Sequence, residues 1–229
     1  MKISGSGKIE AGKLDEDLVV SGSAHIRGDL ECNRIKSSGS LKGEGNLIIH
    51  GDIKSSGSFR ITGCLQGDNN AHFSGSAKIG QGIILQGQLK SSGSLRVKNS
   101  VSALLGIKIY GSARIAGNLY SQKDVCIDGL TKISGYIEAE NVKMGDENKK
   151  IIFHIFKKKK YPYMVYGTIR AKNKIDLCRT MVMGDVIGRE IIINKNSYIE
   201  GKVYYVDSIE IHPKAILKNN PIQIAENEL

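Results

Sequence analysis

The chain has 229 residues and a formal net charge of +10, with 27 Gly, 3 Pro, 4 Cys, no Trp and 6% aromatic residues. No apolar run is long enough for a transmembrane helix, and the N-terminus, Met1 to Gly7, has no apolar signal-peptide core. The basic excess suits an acidic partner, nucleic acid or an anionic membrane, and it also aids solubility.

Internal repetition is the first signal met along the chain. Ser-Gly-Ser recurs at Ser4-Gly5-Ser6, Ser21-Gly22-Ser23, Ser38-Gly39-Ser40, Ser56-Gly57-Ser58, Ser74-Gly75-Ser76 and Ser92-Gly93-Ser94. It weakens to Tyr110-Gly111-Ser112 and Asp128-Gly129-Leu130, and successive central glycines lie 17 or 18 residues apart. Six residues behind runs a second lattice, apolar-x-Gly-x-apolar, as in Ile26-Arg27-Gly28-Asp29-Leu30 and Ile61-Thr62-Gly63-Cys64-Leu65. It outlasts the first lattice, through Gly117, Gly135, Gly167, Gly184 and Gly201. A third set of apolar pairs follows, such as Ile107/Ile109, Val125/Ile127, Ile175/Leu177 and Ile209/Ile211. Each pair is separated by two, the strand period.

Two or three short strands per repeat cannot bury their apolar faces alone. Stacking the repeats solves this, because each strand pairs in parallel with its copy above and below and the inward residues form one column. The spacing predicts an all-β, single-stranded β-helix (β-solenoid) of about eleven rungs of 17–18 residues. At ~4.8 Å per rung it is a rod on the order of 50 Å long. Ile216, Leu217, Ile222 and Ile224 suggest a partial last turn. Gly is expected at corners needing positive φ or close packing, and stacked corner serines could form hydroxyl ladders. Gly43, Gln81 and Asn99 depart from the lattice and read as tolerated variation.

The repeats divide the chain into a β-helix over residues 1–145, an apolar and basic insertion loop over 146–163, and C-terminal rungs of the same solenoid over 164–229. The insertion follows from the 32-residue step between Gly135 and Gly167. It carries Ile151, Ile152, Phe153 and Phe156 followed by Lys157, Lys158, Lys159 and Lys160. That order suits an interfacial membrane anchor or another acidic partner, and equally a turn lying along the rod with a solvated lysine tract.

Catalytic signals are weak. The chain has no Walker-type loop, no G-x-S-x-G elbow and no H-E-x-x-H. His25, His50, His72, His154 and His212 are scattered, and Cys32, Cys64, Cys126 and Cys178 read as reduced thiols of a cytoplasmic protein. No metal site, cofactor or catalytic residue is expected. One enzyme class competes: left-handed β-helix acyltransferases also use 18-residue coils, and His72 or His154 would be the candidate base.

The units Ser21-Gly22-Ser23-Ala24-His25-Ile26, Ser56-Gly57-Ser58-Phe59-Arg60-Ile61, Ser74-Gly75-Ser76-Ala77-Lys78-Ile79 and Ser92-Gly93-Ser94-Leu95-Arg96-Val97 resemble the bactofilins. These are bacterial polymer-forming cytoskeletal proteins. The resemblance implies a right-handed β-helix that polymerises end to end without nucleotide, at the inner face of the cell membrane. There it would scaffold envelope, shape or motility machinery. The family's flexible tails and N-terminal membrane-targeting segment have no counterpart here, and the apolar-basic insertion is the candidate replacement for that anchor.

The combined expectation is a non-enzymatic, self-assembling cytoplasmic scaffold, peripheral at the membrane, whose partner is itself. An open rung edge templates strand addition, so Ile3, Ile9, Leu18 and Val20 are the candidate self-assembly interface. Pro213 and Pro221 suggest a partly capped C-terminal end. An acyltransferase and a basic nucleic-acid-binding solenoid are the alternatives, with nucleic acid the less favoured partner.

Overall fold

In a computed structural model, residues 1–146 and 161–228 are described, and they form one parallel β-solenoid. Most of its strands are short because inward and outward residues alternate over only three or four positions before a corner, as in Ile53–Ser55 and Ser58–Ile61, while a few, such as Ser23–Cys32, run through a corner. Every coil carries three such segments, so the strands stack into three columns running the length of the rod. The first column passes through Ile35–Ser37, Ile53–Ser55 and Ala71–Phe73. The second passes through Ser40–Gly43, Ser58–Ile61 and Ser76–Ile79. The third passes through Leu47–Ile49, Leu65–Gly67 and Ile83–Leu85.

Twelve coils are stacked. The twelfth is the turn the sequence suggested as partial: Ile216–Leu217 pairs with Tyr198–Ile199, and Ile222–Gln223 pairs with Val203–Ile211. The second column resumes after the insertion at Tyr163–Val165, which pairs directly with Thr131–Ile133. Tyr163, expected to end the loop, is therefore a buried core residue, and its hydroxyl donates to Asp128 Oδ1 at 3.4 Å. The insertion residues Ile151, Ile152, Phe153, Phe156, Lys157, Lys158, Lys159 and Lys160 lie outside the described residues, as does His154.

The core is a narrow aliphatic column with one aromatic pair, Phe59 and Phe73, whose ring centroids are 5.2 Å apart. Each ring is matched by small neighbours in its own coil. Phe59 shares its coil with inward Ser55 and Gly67, and Phe73 shares its coil with Ala71 and Ala77. Close packing demands such compensation. Ser37, Ser55 and Ser91 occupy inward places of the first column and their hydroxyls have no hydrogen-bond partner among the described residues. Their size, not their polarity, fits them to that place. Gly43 has a similar reason: a Cβ there would lie 3.1 Å from Ile61 Cγ2.

The Ser-Gly-Ser corner joins the first column to the second, and close approach is what demands its glycine. A Cβ on Gly39 would lie 1.9 Å from the carbonyl oxygen of Gly22, and one on Gly57 would lie 1.9 Å from that of Gly39. These glycines do not have positive φ. The expected hydroxyl ladder is not what joins the corners. The flanking serines are exposed, and the ladder runs through the backbone: Ser40 N–H donates to Gly22 O at 2.8 Å, and Ser58 N–H to Gly39 O at 3.0 Å. At the second corner, Gln81 is tolerated because Gly80 takes the tight place, where a Cβ would lie 2.1 Å from Thr62 O.

Candidate functional site

Two features emerge from this stacking: the two ends of the rod and the outward residue of each column. The first coil is built from Lys2–Ile3 and Ser6–Leu14, which pair only with Leu18–Val20 and Ser23–Cys32. Their opposite edges carry no partner among the described residues. Ile3 and Leu14 are half-buried here, and Ile9 is 6% exposed. Leu18 and Val20 are not part of this end. The register Lys2↔Val19 and Ile3↔Val20 lays the first coil over them, leaving Leu18 at 0% and Val20 at 1% exposure.

The far end is more apolar than its prolines suggested. Ile211 stacks on Ile193 in the first column, yet it is 43% exposed because no described coil covers it. Ile209, Ala215 and Leu217 are half-buried beside it. Pro213 lies in an exposed turn after Ile211, and Pro221 precedes the last strand, so neither covers the core opening.

The outward residues form a pattern that appears only once the register is known. In the second column, coil by coil, they are Lys8, His25, Lys42, Arg60, Lys78, Arg96, Arg114 and Lys132. Every one of the first eight coils thus contributes a basic side chain to one line. The line then turns apolar, through Met164, Met181, Tyr198 and Ile216. Across the Ser-Gly-Ser edge, the first column presents Lys36, Lys54, His72, Lys90 and Lys108 in successive coils. The third column differs: its outward residues over coils two to eight are Glu31, Ile48, Gln66, Ile84, Ser102, Tyr120 and Glu138.

Most of the second-column cations are uncompensated. His25 and Lys42 share Glu44, at 2.8 and 3.2 Å. Lys8, Arg60, Lys78, Arg96 and Arg114 make no ion pair among the described residues, and Lys132 lies 4.7 Å from the centre of the Tyr166 ring. Where the chain returns from the insertion, Tyr161 and Pro162 wall a groove of about 220 Å³ that also involves Arg96, Arg114 and Lys132, with Ser94 and Ser112 beside them. Sequence reasoning quoted these basic residues only as part of a repeat unit. The signal that would have found the stripe is the outward place two residues after each Ser-Gly-Ser.

The titratable groups elsewhere behave as structure. His50 bridges Glu31 at 2.9 Å and Asp68 at 2.8 Å, and these carboxylates raise its pKa, Glu31 most. In return His50 is the main cause that lowers the Glu31 pKa. Burial pushes the Cys32 thiol up to about 11 and raises that of Cys126, which removes thiolate character at neutral pH. His72, the candidate base for acyl transfer, stands between Lys54 and Lys90 in its column. No cluster of three or more metal-ligating side chains occurs among the described residues, and no helix there is long and apolar enough to cross a membrane.

Comparison with protein-family models, with curated proteins and with solved structures gives no match. Functional assignment therefore rests on the geometry of the ends and the faces.

Proposed function

We propose that the chain is a non-enzymatic, self-assembling scaffold of the bactofilin type, which stacks end to end through its terminal coils. The observation that carries this reading is the pair of open ends. Each presents a strand edge with no partner among the described residues, and the core behind it is aliphatic: Ile3, Ile9 and Leu14 at one end, Ile209, Ile211 and Leu217 at the other. An unpaired edge is a template for another strand, and head-to-tail joining of unlike ends builds an open polymer when the rotation does not close a ring. Both ends take part in this scheme, with the C-terminal end the more apolar. The resemblance adds the setting, a cytoplasmic polymer peripheral to the cell membrane that organises envelope, shape or motility machinery.

Acyl transfer is the less favoured reading. Its candidate base His72 stands in a line of lysines, between Lys54 and Lys90, and no carboxylate among the described residues hydrogen-bonds its ring to orient it.

Negative-stain microscopy tests the proposal. A single subunit is a rod of about 55 Å, from twelve coils at ~4.8 Å. The wild type is expected to form longer rods, and Ile211→Lys and Ile3→Lys to shorten them to single subunits. Rods of unit length at every wild-type concentration would sink the stacking scheme.

A further inference from the structure

The basic line has no role in end-to-end stacking, because it lies on the flank of the rod. We propose that it is a binding track for an extended single-stranded phosphodiester chain, laid parallel to the rod axis and held by its phosphates. The second column supplies one basic side chain per coil from Lys8 to Lys132. Seven steps of ~4.8 Å make a track of roughly 34 Å. Six of its members, Lys8, Arg60, Lys78, Arg96, Arg114 and Lys132, have no carboxylate partner among the described residues. Their charge is available to an outside anion. A parallel line on the first column, including Lys36, Lys54, Lys90 and Lys108, lies across an edge that is serine and glycine as far as Ser92-Gly93-Ser94, with the Tyr110 ring beside Lys90 at the next coil.

Three observations select this occupant. The track is straight and single file, and it deepens into the groove between Arg114, Lys132 and Tyr161. A thread can follow that path, whereas a flat bilayer cannot enter the groove. Through coil eight the second column has no outward apolar side chain to insert among acyl chains, so membrane binding there would rest on charge alone. A duplex winds each strand away from a straight line once per ~34 Å turn, so it meets such a track at only one or two places. A flexible single strand can adapt to the whole length. The second-column strands carry no outward aromatic residue before Tyr198, and Tyr161 reaches the track only in the groove at its Lys132 end, so phosphate contacts dominate and binding is independent of sequence.

Fluorescence anisotropy with an oligothymidylate strand long enough to span the track, titrated over salt, tests the proposal. Six neutralised phosphates give a slope of log K against log salt of roughly −4, at about −0.7 per contact. The triple variant Arg60→Glu, Arg96→Glu, Arg114→Glu removes half of those contacts and brings the slope to roughly −2 or abolishes binding. Its melting temperature and unit-rod length stay those of the wild type, because all three side chains are exposed. A control with the same change in net charge, Lys172→Glu, Lys202→Glu, Lys218→Glu, binds like the wild type. The proposal is overturned if the control loses as much affinity as the stripe variant, or if the wild type binds duplex of equal length with a steeper slope. It is also overturned if the wild type ignores the strand yet sediments with phosphatidylglycerol vesicles in a stripe-dependent manner, which would make the track a lipid contact.

Discussion

The first eight coils and the last four share one core but build their first corner differently. From the second coil to the eighth the corner glycine is needed because the coil beneath comes too close for a side chain, as at Gly129, where a Cβ would lie 1.8 Å from Gly111 O. In coils nine to eleven the corner turns through left-handed backbone instead, at Gly145 (φ 79) just before the insertion, Arg179 (φ 54) and Asn196 (φ 57). The second corner keeps its glycine in both regions, through Gly135, Gly167, Gly184 and Gly201, each in close contact with the coil before it. Coil closure is therefore satisfied either by an absent side chain or by a left-handed residue. The outward residues change with it, from basic side chains to Met164, Met181, Tyr198 and Ile216. The two regions have one interior and two surfaces.

The hardest test of that shared interior is Phe59→Ala. Phe59 is 1% exposed and packs against Phe73 with the rings tilted, so its removal opens a cavity and is expected to cost about 3–5 kcal/mol. In a solenoid, stability is passed between neighbouring coils. If the regions form one cooperative column, far-UV circular dichroism and tyrosine fluorescence lose signal together and at a lower temperature than in the wild type. Tyrosine is a regional probe, because all nine tyrosines lie at or beyond position 110. A lowered circular dichroism transition with an unchanged tyrosine transition would split the rod into two units.

The corner contrast gives the next effect. Gly57→Ala drives a methyl into Gly39 O and is expected to cost about 1–3 kcal/mol by overpacking. At Asn196 the rule inverts. Gly is tolerated within about 0.5 kcal/mol there, and Val costs about 1–2 kcal/mol because a β-branched residue resists left-handed backbone. Chemical denaturation of the three variants reads both effects. An Asn196→Gly cost as large as that of Gly57→Ala would erase the distinction between the corners.

Much of this architecture can be read from residue spacing, since glycines 17 or 18 apart and apolar pairs two apart define coil, corner and inward face. What spacing does not carry is which surface residues become neighbours. Arg60, Lys78, Arg96 and Arg114 are 18 residues apart and look diluted along the chain, while Lys157 to Lys160 look dense. Stacking reverses that impression by bringing the first set into one line. Leu18 and Val20 show the same limit. Their inward direction follows from alternation, but only the pairing of Lys2 with Val19 shows that a coil covers them. The aromatic pair likewise depends on Gly67 and Ala77 making room in coils that no local pattern links.

The smallest effect separates the regions by pH. Each has a cation bridging two carboxylates along its flank: His50 between Glu31 and Asp68, and Arg189 between Asp207 and Glu226. Only the first bridge titrates near neutrality. The folded His50 pKa is raised above its ordinary 6.5, so its contribution is full below 6.5 and is lost as pH rises through the folded value. The folded Glu31 pKa is lowered beneath 4.5, so its contribution is full above 4.5 and is lost as pH falls through the folded value. The bridge therefore stabilises most between pH 4.5 and 6.5. The melting difference between wild type and His50→Gln should be widest in that window and shrink toward alkaline pH. Arginine keeps its proton throughout that range, so the difference for Arg189→Gln should persist where the His50 difference has vanished. These groups are exposed or, for Glu31 and Arg189, about one-third exposed, so both differences are small and sensitive to salt. A His50→Gln difference that stays constant from pH 4.5 into the alkaline range would show that the histidine serves that flank by its shape and not by its charge.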